Sequence, residues 1–301
     1  MPLIHPLIDT SSVVSCWELP DPQWVDRWDR IIVDPRIKDS LLNFALLGLL
    51  TLRGTSEISI PMHRMVLLEG PPGTGKTTLA RGFAQQAATI LFEQTESRSI
   101  FVEIDCFSLS GDLLGSTPKT VAKLLEHTLP DLAEEAEFVF VLFDEVETIA
   151  TDRRSLALDV NPIDVHRGTN AFLTGMDFVA AQLDNVMTVM TSNYPENLDA
   201  AVLSRIDLTV ELGLPGEDAV RSILLDTIRE MASIIKWDGD ETAIDQLVGP
   251  ALGLDGRQIR KAMIEAAASD RDVAMGHQLL AWDSIVSSLE RRSRPLREAA
   301  R

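Results

Sequence analysis

The most chemically suggestive stretch of the chain is Gly70-Pro-Pro-Gly-Thr-Gly-Lys-Thr77, followed by Thr78. It has the G-x-x-x-x-G-K-[ST] spacing, and Met65–Glu69 before it is apolar enough to be a strand. Gly73 and Gly75 can adopt backbone angles closed to other residues, so the loop Pro72–Thr78 can wrap a phosphate with the successive N–H groups that follow Pro72 turned inward. A helix beginning near Lys76 adds its positive dipole end. In this reading Lys76 reaches the β- and γ-phosphates, while the Thr77 hydroxyl is a ligand for Mg²⁺.

A second set of residues suits hydrolysis. The all-apolar run Phe138–Phe143 ends in Asp144-Glu145. A strand buried on both faces would deliver those acids to its C-terminal end, where open α/β sheets bind ligands. Asp144 is then a second metal-site residue and Glu145 the base that orients and deprotonates water. Val186–Thr191 ends similarly in Ser192-Asn193. Asn193 either contacts the attacking water or γ-phosphate, or serves as a turn residue before Pro195. Arg205 is either an ordinary surface arginine or a finger donated to a neighbouring subunit's site.

To hold these residues together, the elements must alternate. Strand-like runs at Met65–Glu69, Ile100–Ile104, Phe138–Phe143, Val186–Thr191 and Leu208–Leu212 are separated by helical stretches at Lys76–Thr89, Thr120–His127 and Ile163–Ala181. That alternation predicts an α/β domain with a five-stranded, mostly parallel sheet covered on both faces. Asp34-Pro35 marks the start of a helix to about Leu52, and Trp24 and Trp28, one turn apart, read as anchors onto a core. Beyond Pro215-Gly216 the segments 217–235, 241–248, 256–268 and 278–291 all have helical periodicity. The expected organisation is an irregular leader over residues 1–20, a large domain over 21–215 and a small all-helical lid over 216–301.

Composition narrows the function classes. The 27 basic and 46 acidic residues give a formal net charge of −19, which disfavours nucleic-acid binding by the surface as a whole. No apolar run approaches the roughly 18 residues of a membrane span. No signal-peptide pattern opens the sequence. Two widely spaced cysteines fit a reducing compartment, so the expectation is a soluble cytoplasmic protein without membrane or nucleic-acid partners.

Gly70–Thr77, Leu142–Glu147, Ser192–Asn193 and Leu203–Asp207, in this order, resemble the AAA+ ATPases. Asp144-Glu-Val-Glu147, Pro162–Arg167, Asn170–Thr174, Asp177, Asp199–Asp207 and Gly253–Lys261 resemble more closely one branch, the pachytene-checkpoint remodellers of the Pch2/Trip-thirteen family, from about Trp24 onward. The resemblance implies a homo-hexameric ring that hydrolyses ATP with Mg²⁺ at its subunit junctions and pulls on HORMA-domain proteins. It implies that Arg257 is a second nucleotide sensor; from its place at a helix start alone, it could equally be a solvated residue.

Two departures accompany the resemblance. Only about 20 residues precede the ATPase core, where eukaryotic members carry a substrate-recognition domain. This resembles bacterial members, found beside HORMA proteins that control cyclic-oligonucleotide synthesis in antiphage defence. Leu113-Leu114 stands where the family tends to have an aromatic pair in its central-pore loop; the alternative is a core-facing pair. Asp152–Pro162, with Arg153 and Arg154, is a second pore loop or a plain surface connection. The rival readings are a DNA-associated AAA+ protein of clamp-loader or initiator type and a slow nucleotide-gated scaffold.

Overall fold

The computed structural model of the chain describes residues 13–29, 31–53, 62–110, 117–151, 162–237 and 243–299. They divide into two compact units. The first comprises Met1–Asp29, Asp34–Gly70 and Lys76–Glu211, and the second Arg30–Val33, Pro71–Gly75 and Leu212–Arg301.

The first unit is built on a six-stranded sheet: β1 (Val13–Leu19), β2 (Met65–Glu69), β3 (Ser99–Asp105), β4 (Phe138–Asp144), β5 (Val186–Ser192) and β6 (Leu208–Glu211). The spatial order is β1-β3-β4-β5-β2-β6. All neighbours pair in parallel except β1, which runs antiparallel to β3. The residues of β5 are buried throughout, and β3 and β4 are buried except for their final aspartates. Strands covered on both faces read as largely apolar runs: β4 is unbroken up to Asp144, while β3 carries the buried Glu103 and β5 the buried Thr188.

The sixth strand corrects the expectation of an irregular leader and a five-stranded sheet. Val13–Leu19 lies on the outer edge of the sheet, with only Cys16 and Leu19 buried, and a register shift between Val13 and Ser15 breaks its alternation. Trp17 of this strand packs against Trp24 (ring centroids 5.2 Å apart), which in turn meets Phe101 edge-on at 5.2 Å. Trp24 and Trp28 are both buried, as anchors should be.

Three long helices accompany the sheet: α1 (Pro35–Leu46), α2 (Lys76–Thr95) and α3 (Pro162–Gln182). Asp34 caps α1 by accepting the Arg36 N–H, with Pro35 in the first turn. The helix expected over 120–127 is part of a longer run, Thr117–Glu135, that widens to a π turn at Leu124–Thr128 before Pro130. Edge-to-face pairs such as Phe83–Phe140 (6.1 Å) and Phe143–Phe172 (5.4 Å) join strand to helix in the core.

The second unit has its own core, formed by residues such as Leu224, Leu247, Ile259, Met263 and Ile285. They come from helices α4 (Glu217–Met231), α5 (Ile244–Ala251), α6 (Gly256–Ala268) and α7 (Trp282–Ala299). Asp255 and Gln258 form a reciprocal capping box at the start of α6. In the same unit Gly73 holds φ at +82°, and a Cβ added there would lie 2.3 Å from the Asp255 carboxylate. Backbone angle and space both demand glycine at that position.

Candidate functional site

Neighbouring strands β4, β5 and β2 end side by side, and the residues with chemistry cluster at their C-terminal ends. β2 leads into the phosphate loop. Gly70, Gly73 and Gly75 all have positive φ, which turns the chain sharply back toward α2. Thr74 Oγ1 donates to the Pro71 carbonyl at 2.9 Å, bracing the loop across three residues. Lys76 is buried at 6 % exposure, with Nζ 2.7 Å from the Gly70 carbonyl. Pro72 and Thr78 are exposed.

Thr77, at the start of α2, donates its hydroxyl to Asp144 Oδ1 at 2.8 Å. These are the two residues the spacing assigns to a metal ion. Hydroxyl and carboxylate oxygens are hard donors suited to Mg²⁺, which keeps few protein ligands and takes others from phosphate. Among the described residues no group of three or more His, Cys, Asp or Glu is arranged to hold a metal ion without such help.

Glu145 follows in the left-handed conformation (φ +55°, ψ +53°), unusual for a residue with a side chain. It is exposed, and its Oε1 accepts a hydrogen bond from Asn193 Nδ2 at 3.0 Å. Asn193 is itself held by its backbone, whose N–H donates to Glu147 Oε1 at 3.0 Å. The fold thus joins Thr77, Asp144, Glu145 and Asn193 in one hydrogen-bonded array.

Two members of the array were not singled out from sequence as site residues. Glu147 fixes Asn193, and its Oε2 is buried without a partner among the described residues. Thr191 bonds to both Asp144 and Glu145. Its only sequence signal is a hydroxyl at the end of an apolar strand. Beneath them lies Cys106, whose thiol is pushed well up, first by burial and then by Asp144, Asp105, Glu147 and Glu145.

Arg205 lies elsewhere. It precedes β6, whose Leu208 is level with Val66, four strand residues below the phosphate loop, a height of about 13 Å. There it forms a two-pronged ion pair with Asp177 of α3 (2.6 and 2.8 Å) and donates to the Ala201 carbonyl at 2.6 Å. The hydrogen bond from Arg205 holds the Asp177 carboxyl below its ordinary range, and the reciprocal bond raises Arg205. Arg257 is exposed on the first turn of α6, and its side chain makes no hydrogen bond or ion pair among the described residues. Leu113, Leu114, Arg153 and Arg154 lie outside the described residues; Phe107, 74 % exposed, lies on the short helix Cys106–Ser110 that leads toward the first pair.

A parallel sheet ending in a glycine-rich phosphate loop, a metal-suited Thr–Asp pair and a Glu–Asn pair defines a P-loop nucleotide-binding domain of the hydrolytic kind. The chain belongs to the AAA ATPase family and is similar to its pachytene checkpoint branch. Residues 66–214 match the family model described as ATPase family associated with various cellular activities. CD-NTase-associated protein 6 of Pseudomonas aeruginosa is 38 % identical over 91 % of this chain and 90 % of its own length. A putative pachytene checkpoint protein 2 of Caenorhabditis elegans is 35 % identical over 72 % of this chain. The chain spans about half (51 %) of that relative's length. Solved structures of similar fold include C. elegans PCH-2 (TM-score 0.74, 24 % identity, covering 97 % of this chain and 78 % of that one). A chain of the E. coli MS115-1 HORMA:CdnC:Trip13 complex is another (TM-score 0.72, 18 % identity, covering 93 % and 95 %).

Proposed function

We propose that the protein is an ATP-driven remodeller that acts as a homo-hexamer on a HORMA-domain protein, in bacterial antiphage signalling. The observation that carries the hydrolytic part is the array at the sheet edge. An exposed carboxylate next to the Thr77–Asp144 pair and held by Asn193 is what a water-activating base requires, whereas a binding-only switch needs no base. Thr77 and Asp144 would hold Mg²⁺, which when bound neutralises charge on the phosphate oxygens. Lys76 and the loop N–H groups bind and orient the triphosphate, and Glu145 takes the proton of the attacking water.

Arg205 is what supports the assembly. An arginine that precedes β6 and is paired with Asp177 points away from serving its own site, but at a subunit junction it can complete a neighbour's. Arg257 is assigned to sensing nucleotide, Leu113 and Leu114 to the pore that grips the client, residues 21–215 to the ATPase domain and 216–301 to the lid. The HORMA client and the signalling context rest on similarity to the P. aeruginosa protein and to the E. coli complex.

Glu145→Gln tests the reading. Phosphate release should fall by about 100-fold or more, while affinity for ATP and nucleotide-dependent assembly persist. The variant should then trap a HORMA-domain partner in a pull-down. Wild-type turnover in Glu145→Gln, or a chain that stays monomeric with ATP and Mg²⁺, would refute it.

A further inference from the structure

Thr191, the sixth residue of β5, is 1 % exposed. The β4–β5 register pairs Phe143 with Met190, which brings Asp144 and Thr191 abreast one step later. Its hydroxyl works in both directions. It accepts the Glu145 N–H at 3.0 Å and lies 2.6 Å from Asp144 Oδ1. An amide can only donate, so the hydroxyl proton goes to the carboxylate, and both bonds are fixed in direction.

This single oxygen therefore ties the two acids together at the point where the chain turns out of the strand. Glu145 holds its left-handed backbone against steric cost. One side of that conformation is held by Thr191 on the N–H. The other is held by Thr148, whose N–H (3.0 Å) and Oγ1 (2.8 Å) both donate to the Glu145 carbonyl. The Thr148 bonds lie within one local turn, whereas the Thr191 bond reaches across from another strand and refers Glu145 to Asp144. Thr77, the other hydroxyl on Asp144, has a second duty as a proposed metal ligand. Thr191 has none.

We propose that Thr191 is a positioning residue that sets the orientation of Glu145 relative to Asp144, and that turnover depends on it while nucleotide affinity does not. The inference rests on the hydrolytic reading of the site. Its test uses Thr191→Val, nearly isosteric but without hydroxyl, and Thr191→Ser, which keeps the hydroxyl. In the full chain with ATP and Mg²⁺, Thr191→Val should lower kcat by about tenfold or more, equivalent to about 1.4 kcal/mol, with KM within about twofold. Thr191→Ser should recover most of the loss, since a purely structural role would follow packing rather than the hydroxyl. If Thr191→Val folds poorly, Thr191→Ala provides a second hydroxyl-free side chain, with kcat referred to the nucleotide-binding fraction. Wild-type kcat in the hydroxyl-free variants, or Thr191→Ser as impaired as Thr191→Val, would overturn the inference if Glu145→Gln is inactive. Unimpaired turnover in Glu145→Gln would instead overturn the hydrolytic reading.

Discussion

The two ends of the central sheet use buried polar groups in opposite ways. At the N-terminal ends of the strands, side chains are spent on backbone groups, carbonyls above all. Arg64, 8 % exposed just before β2, donates to the carbonyls of Ala180, Leu183 and Val186 at 2.9, 2.9 and 3.3 Å. Asn185, just before β5, donates to Ala133 and Ala136 at 2.8 and 3.0 Å. Asp207, before β6, accepts from the Met65 N–H. At the C-terminal ends, by contrast, Thr77, Asp144, Thr191, Glu145 and Asn193 are linked through side chains. A side chain that pairs with a carbonyl closes a loop for good, whereas carboxylate and hydroxyl oxygens keep lone pairs for a ligand. One end serves stability; the other is available for chemistry.

The separation predicts a double dissociation. Glu145→Gln, which carries the largest expected effect on rate, should leave the thermal midpoint of the chain nearly unchanged, because its side chain is exposed. Arg64→Met should do the reverse. It leaves three carbonyls without their donor, at an expected cost of about 2–4 kcal/mol, while kcat per folded molecule stays at wild type. Thermal melts and active-site titration of both variants measure the pair of effects. A loss of turnover in Arg64→Met at unchanged stability would break the contrast.

How much of this was legible in the sequence depended on whether a signal was local. The phosphate loop, Asp144-Glu145 and Asn193 are marked by residue types at fixed spacing after apolar runs, so the residues could be picked out. β1 was not legible. An edge strand needs to bury only alternate residues, and the shift between Val13 and Ser15 spoils even that alternation. Thr191 and Arg64 were missed because their roles depend on which strand lies beside them. A threonine in an apolar run reads as an ordinary strand former, and its partnership with Asp144 exists only through the register of β4 with β5.

Asp177 and Arg205 combine features of both ends, since their pair is two-pronged yet partly exposed. A pair of that kind contributes about 0–1 kcal/mol to the stability of a single chain. Asp177→Asn should therefore barely move the melt, but should slow turnover of the assembled protein by about three- to tenfold if Arg205 acts across a junction. The folded carboxyl titrates below its unfolded value, so the pair's contribution to stability is present above the ordinary aspartate range and is lost as pH falls through the depressed value. Between neutrality and mild acid the pair should give no pH dependence. An equal loss of stability and rate in Asp177→Asn would reduce it to a structural ion pair.

The smallest expected effect is on the reactivity of the two thiols. Cys16 and Cys106 are free and buried. Burial pushes the Cys16 thiol up to about 11, and Cys106 is raised by burial together with the acids around it. Only the thiolate attacks an alkylating reagent, so both should react far more slowly in the native chain than in denaturing urea. Cys106 lies under the site, whereas Cys16 is on β1 at the outer edge of the sheet. Reagent reaches Cys106 only when the site end opens, and a bound nucleotide stabilises the closed form by its differential affinity. A non-hydrolysable ATP analogue with Mg²⁺ should thus slow labelling of Cys106 by a few-fold and leave Cys16 unchanged, as peptide mapping by mass spectrometry would reveal. Equal protection of both thiols would mean that nucleotide tightens the whole sheet rather than the end at which it binds, and the division between a stabilising end and a reactive one would then be one of chemistry but not of dynamics.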